Sequence, residues 1–118
     1  MFKGLLLLES LKDEGVLDLV RVARTEVWHV ENAVDWQPKQ WTAVSFEGES
    51  RQADEVAEAM SRSIKPKWYA NFFTEAHVYV MFEDKVFKYA KGDVRARAEV
   101  RSYAVSVGVP ESQIDYGE

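Results

Sequence analysis

Apolar and polar residues alternate most regularly in an aromatic stretch from Trp68 to Tyr89, WYANFFTEAHVYVMFEDKVFKY. Val78, Val80 and Phe82 alternate with His77, Tyr79 and Met81, the two-residue period of a half-buried strand. Glu83-Asp84-Lys85 interrupts the run and Val86 to Tyr89 resumes it, which predicts a hairpin. A turn at Asp84-Lys85 sets Phe82 opposite Phe87 and Val80 opposite Tyr89. One face then collects Val78, Val80, Phe82, Phe87 and Tyr89, and the other His77, Tyr79, Met81, Glu83, Val86 and Lys88.

Upstream, Phe2 to Leu11 reads as a first strand, and the unbroken Leu5 to Leu8 suits burial on both faces near the sheet centre. Asp13-Glu14-Gly15 breaks it, and Val16 to Arg24 fits a short crossover helix with Leu17, Val20 and Arg24 on one face, although Val20 and Val22 also alternate as in a strand. Thr25 to Glu31 and Trp41 to Glu47 read as strands. Between them lies a long connection, in which Pro38 is incompatible with a central ladder position.

Two helices are well patterned. Ala53, Val56, Ala57, Met60 and Ile64 make one apolar stripe, with Ser50 as N-cap, a Glu58–Arg62 pair, and Pro66 forcing the end. The second is capped by Asp93 and buries Ala96, Val100, Tyr103, Ala104 and Val107, with Gly108 and Pro110 as the stop. Residues 109–118 read as an extended tail.

The expected architecture is one α+β domain spanning 1–118. An antiparallel sheet carries two or three helices on one face. Its core is ferredoxin-like (split βαβ), with an added hairpin strand and a C-terminal helix.

Composition narrows the function classes. The 118 residues suit one domain. Leu5 to Leu8 is far short of the roughly 20 apolar residues that span a bilayer, and Glu9 and Lys12 interrupt any leader-like core, so the start reads as a strand and no membrane partner is expected. The chain has no cysteine, so there is no thiol chemistry, and a cytoplasmic setting is expected. The net charge of −5 argues against general nucleic-acid affinity. The imbalance is local, however: residues 62–101 hold 9 Lys/Arg against 5 Asp/Glu.

Three constellations could carry chemistry. His29-Val30-Glu31 and Glu75-Ala76-His77 each place a histidine and a carboxylate on one strand face. If those strands adjoin, His29, Glu31, Glu75 and His77 could bind a metal or act as acid–base pairs. Otherwise the histidines belong to a solvated face. Second, Lys88, Lys91, Arg95 and Arg97 surround the predicted start of the last helix, where free amides can hold an anion, although Asp93 already supplies one. Third, Trp28, Trp36, Trp41, Trp68, Tyr69, Phe72 and Phe73 exceed what a small core needs. Some of them could line a pocket or self-association surface together with His29 and Tyr79. No P-loop, nucleophile elbow, dinucleotide fingerprint or zinc-protease motif occurs, and no pattern specifies a cofactor.

Trp28-His29-Val30-Glu31-Asn32 and Val109-Pro110-Glu111-Ser112-Gln113 resemble stretches of a family of small bacterial proteins with no assigned activity. That resemblance implies no mechanism and no catalytic residues. The leading expectation is a small cytoplasmic binding or interaction protein, homodimeric through an aromatic sheet face. The alternative is a small acid–base enzyme or metal-binding protein built on the two His/Glu pairs.

Overall fold

The computed structural model describes residues 1–114. Residues 115–118, the end of the expected tail, lie outside the described residues. Six strands are present: β1 (Phe2–Leu7), β2 (Arg21–His29), β3 (Gln40–Gly48), β4 (Ala70–Phe73), β5 (His77–Phe82) and β6 (Lys85–Ala90). They form one sheet in the order β2-β3-β1-β4-β5-β6, with every neighbouring pair antiparallel. Two α-helices, α1 (Ala53–Ser63) and α2 (Val94–Ser106), and four short 3-10 turns complete the described chain. The protein is therefore α+β, and no described helix is long and apolar enough to cross a membrane.

The leucine run lies at the sheet centre, as its lack of alternation predicts. Strand β1 is flanked by β3 and β4, with Leu6 buried on one face and Leu5 and Leu7 half-buried on the other. It stops at Leu7 rather than Leu11, because the chain turns through Leu8–Ser10, where the Ser10 hydroxyl donates to the Leu7 carbonyl. The expected crossover helix is a 3-10 turn over Glu14–Leu19, opened by Asp13 accepting from the Gly15 amide. Strand β2 starts earlier than expected, since Arg21 and Val22 already pair with Glu47 and Phe46.

One glycine decides the packing of the middle strands. Gly4 faces Phe46 on β3 and Phe72 on β4. A Cβ there would lie 2.3 Å from the Asn71 carbonyl oxygen and 2.8 Å from the Phe46 ring. The missing side chain leaves room for Phe2, Phe46 and Phe72, whose rings meet with centroids 4.5 to 6.3 Å apart.

The apolar stripe of α1 is buried as its spacing predicts, from Ala53 through Ile64. Ser50 is not its N-cap. A 3-10 turn over Ser50–Gln52 leads into the helix, and the Ser50 hydroxyl donates to Glu75 instead. Asp93 does cap α2, accepting from the Ala96 amide, and Gly108 takes the left-handed conformation (φ 93°) that ends it.

The helices do not share a face. Tyr79 and Met81 of β5 pack in one cluster with Val56, Ala57 and Met60 of α1, and with Leu11 and Val16 from the first connection. Val78, Val80 and Phe82 pack in a second cluster with Val100 and Ala104 of α2. Alternate residues of one strand point to opposite faces, so α1 and α2 cover opposite sides of the sheet. The physical reason is that the hairpin is apolar on both sides. A hairpin buried on both faces needs cover on both, so the helices divide between them.

The hairpin sorts its faces as predicted, but in a different register. The turn is Glu83-Asp84, with Asp84 at φ 55°, so Phe82 pairs with Lys85 and Val80 with Phe87. A shift of two leaves every side chain on its predicted face. Phe82 and Phe87 still meet edge-to-face, 5.9 Å between centroids, and both contact Tyr103 of α2.

Candidate functional site

All four tryptophans gather at one end of the sheet. Trp28 and Trp41 are direct cross-strand partners on β2 and β3. Following the register inward, Trp41, Ala43 and Ser45 share a face with Leu7 and Leu5 of β1. Helix α2 packs on that face over β5 and β6, which leaves the surface over β1, β3 and β2 open beside it. Trp68 closes the space from the loop after α1. Its ring meets Trp41 at 5.4 Å and Trp36 at 5.6 Å, both nearly edge-to-face. The Trp41 indole N–H donates to the Pro38 carbonyl, 2.8 Å away, and so fixes the ring.

Lys67 holds a left-handed backbone angle (φ 71°), uncommon for a residue with a side chain. This turn presents Trp68 inward while the Lys67 ammonium lies over the Trp36 ring, 5.4 Å from its centroid. The segment after α2 forms the remaining wall. Tyr69 donates its hydroxyl to the Gln113 carbonyl, and the Gln113 side chain reaches Asn32 and Gln37 of the β2–β3 connection. Residues 109–114 are thus docked, with a 3-10 turn at Glu111–Gln113, and are not the extended tail expected. Val109 anchors them in the α2 cluster.

The result is a cavity of about 230 Å³. Trp28, Trp41, Trp68, Tyr69, Leu5 and Leu7 supply its apolar and aromatic walls, and Asn71, Gln113 and Lys67 are polar residues along its lining. Trp28 remains 37% exposed at the rim.

Of the candidates read from the sequence, Trp28, Trp41, Trp68 and Tyr69 line this cavity, and His29, Glu31, Glu75, His77 and Tyr79 do not. His29 follows Trp28 in the strand and faces the opposite side, and Glu31 is exposed beyond the strand end. The expected convergence of His29 and Glu31 with Glu75 and His77 does not occur. Strands β3, β1 and β4 separate β2 from β5. Four interstrand spacings put the histidines roughly 19 Å apart across the sheet alone. Among the described residues, no group of three or more histidines and carboxylates could hold a metal ion.

Glu75 instead accepts from the Met1 ammonium at 2.6 Å and from the Ser50 hydroxyl at 3.1 Å. The ammonium hydrogen bond is the main reason its pKa falls to about 2. Tyr79 belongs to a polar cluster on the α1 face. Its hydroxyl donates to Asp54 Oδ1 at 2.6 Å, Lys88 Nζ donates to the same oxygen at 3.3 Å, and the Tyr79 ring stacks on Phe72.

The cluster's pKa values move away from neutrality. The Tyr79 hydrogen bond holds the Asp54 carboxyl below its ordinary range. Burial, then the bond to Asp54, raises Tyr79, and hydrogen bonding to Tyr79 and Asp54 raises Lys88. General acid–base work needs a group poised near the operating pH. This cluster ties α1 to the hairpin and leaves each member in its usual protonation state. Sequence reading missed Asp54. Its place in the first turn of a helix whose face was already predicted was the available signal.

The proposed anion site is not assembled. Lys88 is bound to Asp54 on the face opposite α2, and the Lys91 ammonium lies over the Phe73 ring at 5.8 Å. Arg95 and Arg97 are exposed on α2, whose Ala96 amide is already satisfied by Asp93. The hairpin's aromatic face is also not an open surface. Phe82, Phe87 and Tyr89 lie beneath α2, so the open part of that face is the tryptophan end.

No protein-family model, curated protein or solved structure matches the chain.

Proposed function

We propose that the chain is a small binding protein whose ligand occupies the tryptophan cavity. The observation that carries this reading is the convergence of three tryptophans and a tyrosine, from three separate segments, on one concave space. Apolar walls with a few placed polar groups are the usual make-up of a small-molecule site. The volume is below the roughly 300–1,000 Å³ of sites for drug-sized molecules, which favours a single ring or short chain. Lys67 is the one charged side chain among the described lining residues, its ammonium resting over Trp36, so the favoured class is an apolar or aromatic molecule bearing a carboxylate.

We also infer a ferredoxin-like core in β1 to β4. Its support is the strand order β2-β3-β1-β4, with the β1–β2 connection passing β3 and the α1 connection passing β1. Strands β5 and β6 and helix α2 extend that core and build the cavity's flank. The acid–base alternative loses support from the separation of the two His/Glu pairs.

The test is a tryptophan-fluorescence titration with benzoate, an indole carboxylate and hexanoate, with uncharged analogues alongside. Saturable quenching or enhancement by at least one acid, weakened in Lys67→Ala and abolished in Trp68→Ala, is expected. No saturable response to any acid or analogue refutes the reading.

A further inference from the structure

We propose that β2 pairs with β2 of a second copy of this chain, edge to edge and antiparallel, about a two-fold axis at Thr25. The proposal does not depend on what the cavity binds. Strand β2 ends the sheet and pairs only with β3 among the described residues, so its outer row of backbone N–H and C=O groups faces solvent. It is nine residues long, and all nine are exposed. Val27 is 54% exposed on it, and it carries no proline or lysine. A long, exposed edge of this kind is a template for another strand.

The charge pattern selects the partner and the register. Arg24 and Glu26 flank Thr25, lie on the same face, and already bond to each other at 3.2 Å. Pairing β2 with itself about Thr25 sets Arg24 opposite Glu26 of the second copy, and Glu26 opposite its Arg24. The two ion pairs join into a ring of alternating charge, and Thr25 meets Thr25 across the axis. Opposite charges and Thr–Thr pairs are favourable cross-strand neighbours, whereas like charges are not. Moving the axis one residue either way sets Arg24 against Arg24, or Glu26 against Glu26. Charge therefore selects one register. The irregularity between Val22 and Arg24 sits at Ala23, which falls opposite Val27 of the second copy, so regular pairing centres on segment 24–26 and bends away at both ends. The product is an isologous dimer with one continuous sheet, and Trp28 of each copy lies along the new seam.

Sedimentation velocity on the full chain, over a concentration series and at low and high salt, tests this directly. The wild type is expected to dimerise, more weakly in high salt. Arg24→Glu and Glu26→Arg each place like charges across the axis, and each is expected to weaken the dimer by about tenfold or more. The double swap restores opposite charges, so it is expected to dimerise again. The two single variants mixed together are expected to form a heterodimer. Circular dichroism confirms folding, which these exposed positions should not disturb. A wild type monomeric at every concentration overturns the proposal. So does a dimer indifferent to both reversals, or a double swap that fails to recover.

Discussion

The side-chain amides of Gln37 and Gln113 donate to each other, at 2.8 Å from Gln37 and 2.7 Å from Gln113. The pair joins the β2–β3 connection to the segment after α2, the two pieces of irregular backbone that frame the tryptophan end. Gln37 is buried, and its oxygen also accepts from the Val34 amide. A buried amide satisfied by a half-buried one gives the loop a single position, and the cavity wall depends on that position.

Removing either glutamine takes a partner from the other, leaving Gln37 only the Val34 amide and Gln113 only the Asn32 carbonyl among the described residues. Gln113→Ala is expected to cost about 1–3 kcal/mol, the penalty of a buried polar group left without its partner. Gln37→Ala is expected to cost a similar amount. The double variant should cost less than the singles together, because the second truncation removes the group the first left short of a partner. Urea unfolding of the four proteins in the cycle measures this, and strict additivity would show that the pair is not coupled.

Gly4 and Gly92 separate crowding from backbone angle. Gly4→Ala must move the Asn71 carbonyl or the Phe46 and Phe72 side chains, none of which is a flexible chain end. It is expected to cost about 1–3 kcal/mol or more. Gly92→Ala meets nothing within 4 Å but keeps a φ of 87°, so only the left-handed penalty of about 1–2 kcal/mol applies. Thermal unfolding should rank Gly4→Ala as the more damaging. The reverse order would mean that β1 and β4 are not packed this closely.

The Tyr79–Asp54–Lys88 cluster predicts an alkaline signature. Tyr79 is raised above its ordinary 10.0 by burial and by its bond to Asp54, so the folded state holds this proton more tightly than the unfolded state. Its stabilisation is full below the unfolded value and is lost as pH rises through the folded one. Asp54 is depressed below 3.8, so its contribution is present above that value and is lost as pH falls through the folded pKa. Tyrosinate absorbance should show one late-ionising tyrosine that disappears in Tyr79→Phe and ionises earlier in Asp54→Asn. Identical titrations in wild type and Asp54→Asn would rule out the hydrogen bond.

Local periodicity made much of this fold readable, and non-local contacts account for what it missed. The α1 stripe, the Asp93 cap and the face assignment of the hairpin each depend on residues within a few positions of one another. The hairpin register slipped by two because an even shift leaves alternation untouched, and only the turn at Asp84 separates the options. The His29 and His77 motifs look alike locally, and nothing near either reveals that three strands lie between them. The tryptophan surplus was visible as composition. Its meaning depended on Trp68 and Gln113 crossing the chain to meet β2 and β3, which no window of sequence contains.

The binding account is tested most directly by following the four tryptophan indole N–H signals in NMR spectra while benzoate or an indole carboxylate is added. The cavity predicts that Trp28, Trp41 and Trp68 shift together along one saturable curve. A Leu7→Phe variant, which fills the space while keeping an apolar wall, should stay folded and lose the response. Indole signals that do not move with any acid, or that move equally in Leu7→Phe, would contradict the assignment of this cavity as the binding site.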